Sequence, residues 1–106
     1  MWQYDLPINV HRAVCALVGD YNRRERIISE RTAPDDVLQN AVFMNAHIYN
    51  AVNDICDVAL RSIMIYDIGN NIGYSKSRAA TIIGEVAYKK QKRRVKYEIA
   101  RRLKLI

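Results

Sequence analysis

The sequence is poor in the residues that interrupt or cross-link a chain: its 106 residues include four Gly, two Pro and two Cys. Half of the residues are hydrophobic, and with so few Gly and Pro this composition favours a folded, mainly helical protein. Cys15 and Cys56 lack a metal-binding spacing such as Cys-x-x-Cys, and each lies in an apolar helical context. We therefore expect buried free thiols, no metal site and no cofactor.

Long apolar runs and catalytic patterns are missing as well. No run approaches the ~20 residues of a membrane span, and no basic and then apolar signal region follows Met1. We expect a cytoplasmic protein that contacts no membrane. Gly69 and Gly73 lack the following Gly-Lys of a phosphate-binding loop, and the spacing supports no Ser/His/Asp or Cys/His set. We predict that the protein is not an enzyme.

Positive charge is abundant but unevenly distributed. Residues 1–57 carry five Lys/Arg and eight Asp/Glu, a net charge of −3, whereas residues 58–106 carry twelve and three, a net charge of +9. A basic surface that serves only solubility rarely needs so uneven a distribution of charge between the two halves. The basic half therefore favours a nucleic-acid partner.

Apolar residues at three- and four-residue steps predict the first helices. Pro7 suits a first helical turn, and the pattern predicts a helix over about 7–28. Thr32, Pro34 and Asp35 resemble a helix start with Thr32 as the N-cap. Asn45 lies within the long apolar stripe of that second helix. It would either fix the register of a helix pair or be a satisfied polar residue.

We predict an all-α fold in one domain, 1–106. An N-terminal helical hairpin over 1–56 would support the rest or form a homodimer. A further helix over about 57–70 would open a C-terminal helix-turn-helix part, 57–106, that ends in a basic amphipathic helix.

The stretch around the glycines carries the helix-turn-helix pattern. Ile68 and Ile72 are four residues apart and share one helix face. Gly69 would lie where the two helices of the motif approach most closely. Gly73 follows the last apolar residue, where a left-handed residue is needed. Ser75 would be the N-cap of the second helix.

That second helix, over about 75–88, is the predicted recognition helix. Its inward residues would be Ala79 and Ile82, with Ile83, Val86 and Ala87 on the same side. The predicted base contacts are Lys76, Ser77 and Thr81. The predicted backbone contacts are Tyr74, Arg78, Lys89, Lys90, Lys92, Arg93 and Arg94.

A second alignment of the motif remains open. It gives Ala80 and Gly84 the small-residue roles and makes the Lys89 segment the recognition helix. It ranks lower because no turn Gly or N-cap residue follows Gly84. Whether the helix continues through Gly84 or bends there is also open.

Ile68-Gly69, Ile72-Gly73, Ser75 and Ile82 resemble the helix-turn-helix of sigma-factor region 4 and related phage activators. Leu6-Pro7 and the terminal run 93–106 resemble small regulators from phages and prophages of Gram-positive bacteria, nearest the RinA and ArpU groups of late-gene activators. The resemblance implies an all-helical, sequence-specific regulator that binds double-stranded DNA at the nucleoid of a bacterial host. RNA polymerase is a further partner that it suggests. Gly69 stands where Ala is usual, and Ala79 where a bulky residue is usual.

Two other functions compete with this one. A small terminase-like packaging protein would form a ring and bind DNA with little sequence preference. A helical adaptor without DNA binding would present its basic face to an acidic protein. The sequence leaves the target site, activation or repression, and oligomeric state open.

Overall fold

The computed structural model describes residues 4–106, in which every regular element is helical. The predicted all-α fold is confirmed. None of the described helices is long and apolar enough to cross a bilayer. The elements are α1 (Ile8–Gly19), α2 (Tyr21–Glu30), α3 (Asp35–Ile55), α4 (Val58–Asn70), a short 3₁₀ turn (Arg78–Thr81) and α5 (Glu85–Arg102).

The predicted first helix, 7–28, is two helices. The chain turns at Asp20, whose backbone has φ −95° and ψ 5°. The Arg23 guanidinium holds the Asp20 carboxylate there, with 2.6 Å between Nε and Oδ1. The turn has a packing reason, because α1 lies on α4 whereas α2 lies on α3. One straight helix could not reach both.

The start of α3 also differs from the expectation. Pro34, not Thr32, occupies the N-cap position, with φ −57° and ψ 156° and no side-chain cap. The proline ring fixes φ, and the extended ψ sets the first helical residue at Asp35. Asp35 and Asp36 still occupy the first turn, where the positive end of the helix favours carboxylates. The predicted helix over about 57–70 is confirmed as α4.

The main core lies where α1, α4, α5 and the C-terminal part of α3 meet. Its largest fully buried side chains include Tyr88, Ile48, Leu60, Met64 and Ile99. Such residues stabilise the fold by about 1.5–3 kcal/mol each on burial. The core therefore holds α5 against three other helices and leaves its opposite side to solvent.

Two glycines set the distance between α1 and α4. A Cβ atom built on Gly69 would lie 2.9 Å from Gly19 Cα and 3.0 Å from Gly19 N. Both are backbone atoms, which have little freedom to move aside. The prediction that Gly69 lies at a close helix approach is right, but its neighbour is α1 and not the second helix of the motif.

A buried polar group joins α2 to α3. The Arg24 Nε donates to Asn45 Oδ1 at 2.6 Å, and the Asn45 amide donates to the Tyr21 carbonyl at 3.0 Å and to Glu25 at 2.9 Å. A second Arg24 nitrogen donates to the Leu17 carbonyl. Asn45 is thus satisfied, and because its partners are specific it also fixes the register of α2 on α3.

We expect Gly69→Ala to destabilise the fold by about 1–3 kcal/mol, because the new methyl group would push α1 and α4 apart. Urea unfolding followed by circular dichroism measures the change. Gly84→Ser is the control: Gly84 is extended with open space around it, and Ser is a good N-cap. Equal stability of Gly69→Ala and the wild type would show that the helices separate without cost.

Candidate nucleic-acid interface

The turn after α4 is built on left-handed residues. Asn71 ends α4 with φ 52°, and Gly73 has φ 86°. The predicted left-handed conformation of Gly73 is therefore confirmed, although Asn71 is the residue that caps α4. This geometry directs the Gly73 N–H toward the Asp67 carboxylate, 2.8 Å from Oδ1. The turn is thus fastened to the helix that precedes it.

Asp67 is a fully buried carboxylate that joins α4, the turn and α5. Besides the Gly73 amide, the Tyr88 hydroxyl donates to Oδ2 at 2.5 Å, and Lys92 Nζ lies 3.1 Å from both oxygens. Burial alone would raise the pKa of Asp67, but these hydrogen bonds outweigh burial and hold the pKa below its usual value. Asp67 is therefore ionised and fully bonded.

Residues 75–88 do not form one helix, so the predicted helix over this range is wrong. The chain forms only the 3₁₀ turn and opens again at Gly84, which is extended with φ −68° and ψ 154°. The Tyr74 hydroxyl donates to the Ile83 carbonyl at 2.7 Å, which removes that carbonyl from helical bonding. The boundary at Gly84 fits the alignment that ranked lower, because Gly84 is itself the N-cap of α5.

The predicted capping residue is off by two positions. Ser75 is exposed, whereas the Ser77 hydroxyl accepts from the Ala79 N–H at 3.2 Å and donates to the Tyr74 carbonyl at 3.0 Å. Either serine fits an N-cap pattern. Tyr74 determines that Ser77 is the cap, because its ring packs against the core, with 5.6 Å between the ring centres of Tyr74 and Tyr88. Ser77 is thus occupied as a cap and does not face outward for a base.

The other predicted contacts in this segment are dispersed. Lys76 and Arg78 are exposed but line a cleft beside α4. Thr81 is exposed, and its hydroxyl donates to the Arg78 carbonyl at 2.7 Å. Tyr74 is half-buried, and its hydroxyl already donates to the Ile83 carbonyl within the chain. The structure does not bring Lys76, Ser77 and Thr81 together on one helix face.

The inward side of the segment is only partly as expected. Ala79 is fully buried, as predicted, but Ile82 is 46% exposed and Val86 is 70% exposed. The face of α5 is set instead by Tyr88, Val95 and Ile99 at seven- and four-residue steps, all fully buried. A helix that starts at Glu85 with this buried face must turn Val86 outward.

The outer face of α5 is the basic surface that remains. Lys89, Lys90 and Arg94 are exposed there, and Arg93 is partly exposed. Lys92 is not among them, because its ammonium is bound to Asp67 with the side chain only 19% exposed. Its ammonium is already paired within the chain, so a phosphate would have to compete with Asp67 for it.

Some of these cations have intramolecular partners. Lys89 Nζ lies 3.0 Å from Glu85, and Arg93 Nε lies 3.9 Å from Asp5. Within the described residues, Lys90 and Arg94 form no ion pair within 4.0 Å. The Arg94 guanidinium carbon lies 5.9 Å from the centre of the Tyr4 ring. Lys90 and Arg94 are four residues apart and therefore share one side of α5.

The inner side of α5 is electropositive too. Burial and then the nearby Lys92 and Arg93 lower the pKa of Lys96. Burial and then Lys96, Lys92 and Arg12 lower the pKa of His11 on α1. Burial is the larger cause of both shifts, and the neighbouring cations add to it.

Tyr88 is the structural residue of this region that sequence reasoning missed. It orients α5 through its hydrogen bond to Asp67. The sequence pattern that could have identified it is its spacing to Val95 and Ile99, which shows only when the helix is taken to begin at Glu85. Among residues 4–106, no three His, Cys, Asp or Glu side chains meet where they could hold a metal ion. No family model, curated protein or solved structure matches the chain.

We expect Asp67→Asn to lower the free energy of unfolding at pH 7 by about 2–4 kcal/mol, because the amide keeps only one acceptor oxygen, places an NH₂ donor among three donors and removes the negative charge that pairs with Lys92. Since the folded-state pKa of Asp67 is lowered, its contribution is present above the ordinary carboxyl pKa of 3.8 and is lost as the pH falls below it. The difference between variant and wild type should therefore shrink near pH 3. Urea unfolding at both pH values measures it.

Tyr88→Phe serves as the matched control for that experiment. It removes one donor but leaves Gly73 and Lys92 on the carboxylate, so the loss should be smaller than for Asp67→Asn. Equal losses for the two variants at both pH values would mean that ionised Asp67 has no special role.

Proposed function

We propose that the chain is a DNA-binding transcriptional regulator whose α5 lies against duplex DNA. The observation that carries this proposal is the basic outer face of α5, which begins directly at the Gly84 N-cap and is held in place through Asp67. Eighteen residues of helix span about 27 Å. A major groove accepts an α-helix of this kind.

The N-terminal half of α5 would face the bases and the phosphates. Val86 and Lys90 lie four residues apart at its exposed beginning. A short apolar side chain suits a thymine methyl group, and a lysine suits guanine. Lys89, Arg93 and Arg94 lie beside them and would contact phosphates, which set affinity and salt dependence.

The net charge of +9 over residues 58–106 supports the same partner. So does the resemblance to the RinA and ArpU groups, which makes a phage or prophage regulator our proposal and sequence-specific binding its expected property. Residues 71–84, which include Gly73 and the 3₁₀ turn, connect α4 to α5, so a helix-turn-helix variant here would have a long connection and a second helix that starts later than the sequence pattern suggests.

A helical adaptor without DNA binding is the second candidate, and one observation favours it. Lys89 and Arg93 are already close to Glu85 and Asp5. An α5 face that is neutralised in this way offers fewer cations to phosphates. An acidic partner protein would then meet Lys90 and Arg94 instead.

Fluorescence-anisotropy titration on a random duplex at two salt concentrations tests the proposal. We expect salt-sensitive binding, and selection from a random pool should then recover a preferred site. Binding without a preferred site would favour a packaging protein. No binding at low salt would overturn the DNA proposal and leave the adaptor.

We expect Arg93→Ala combined with Arg94→Ala to lower the slope of log affinity against log salt by about two units, because each lost phosphate contact contributes about 0.9. Arg12→Ala with Arg26→Ala is the matched control. It removes the same charge from exposed residues of α1 and α2, so the slope should stay unchanged. Equal effects of both pairs would show that only net charge matters.

A further inference from the structure

A cleft of about 730 Å³ opens on the side of α4, between the junction of α1 and α2 and the loop of residues 72–78. Its size lies within the range of small-molecule sites, roughly 300–1,000 Å³. No residue of α5 lines it. The cleft is therefore a surface separate from the proposed DNA contact.

Three cations line the cleft: Arg61, Lys76 and Arg78. None of them forms an ion pair within 4.0 Å in the part of the chain that the structure describes. Of the three side chains, Arg61 makes one long hydrogen bond, from Nε to the Cys56 carbonyl at 3.4 Å. The single acid in the lining is Asp67, whose carboxylate is buried and bonded to Lys92. The cleft consequently presents positive charge without a balancing carboxylate.

Apolar and aromatic residues form much of the remaining lining, beside the polar side chains of Asn22, Ser62, Asn70 and Ser77. Tyr21, Tyr49 and Tyr66 line the cleft together with Val58. Val58 is 74% exposed and Tyr66 is 56% exposed, so large apolar surface lies open at this place. Exposed apolar surface in a concave site favours a ligand with an apolar body.

We propose that this cleft binds a small organic anion that carries an aromatic body. Its phosphate or carboxylate would be held by Lys76, Arg78 and Arg61, as in charge-assisted hydrogen bonds. Its ring would lie against Tyr66 and the neighbouring tyrosines. The proposal stands on the cleft alone and does not depend on DNA binding.

Three probes test it by isothermal titration calorimetry: 2-naphthyl phosphate, neutral 2-naphthol and inorganic phosphate. We expect one molecule of 2-naphthyl phosphate to bind, at least about tenfold more tightly than either of the other two, because only it combines the charge with the ring. Shifts of amide resonances in ¹H–¹⁵N spectra should concentrate at Gly19, Asn22, Ser62 and Ser77, which line the cleft.

Two double variants locate the site. Lys76→Gln with Arg78→Gln should weaken 2-naphthyl phosphate by about tenfold, whereas Lys90→Gln with Arg94→Gln on α5 should leave it unchanged. All four side chains are exposed, and thermal unfolding checks that both variants stay folded. The proposal is overturned if 2-naphthyl phosphate does not bind, if all three probes bind alike, or if the α5 pair weakens binding as much as the cleft pair.

Discussion

The buried carboxylate of Asp67 is the group on which the C-terminal half depends. It accepts hydrogen bonds from α5 through Tyr88, from the turn through Gly73, and from the Lys92 ammonium. A buried charge costs free energy unless every lone pair is used, so this carboxylate tolerates few arrangements of its three neighbours. It therefore fixes where α5 starts and which side α5 exposes, in addition to stabilising the fold at neutral pH.

A second constraint acts on the N-terminal half through backbone contact. Gly19 and Gly69 let α1 and α4 meet so closely that a Cβ atom on Gly69 would lie 2.9 Å from the Gly19 backbone. The chain then turns at Asp20, and α2 packs on α3 with Arg24 and Asn45 buried between them. The N-terminal half is thus not a hairpin of two long helices. The chain breaks after α1, and α2 and α3 then pack as a pair that buried hydrogen bonds hold in register.

Local patterns in the sequence predicted α3 and α4, but not the break between α1 and α2 or the structure of residues 75–88. The long stripe of α3 and the helix over about 57–70 follow from periodicity that burial of one face enforces. The failure at 75–88 has a non-local cause: the Tyr74 hydroxyl bonds the Ile83 carbonyl, and Tyr88 reaches back to Asp67. These bonds join residues nine and twenty-one apart, so no window around Ser75 or Ser77 could reveal which serine caps.

The two cationic surfaces differ in what a ligand must displace. On α5, phosphates would compete with Glu85 for Lys89 and with Asp5 for Arg93. Exposed pairs of this kind contribute only about 0–1 kcal/mol each, so exchanging a carboxylate for a phosphate costs little. In the cleft no such exchange is needed for Lys76 and Arg78, but their ligand must also cover Val58 and Tyr66. Under the two proposals, a polyanion without apolar groups would suit α5 and an anion with a ring would suit the cleft, so the two surfaces would select partners of different chemistry.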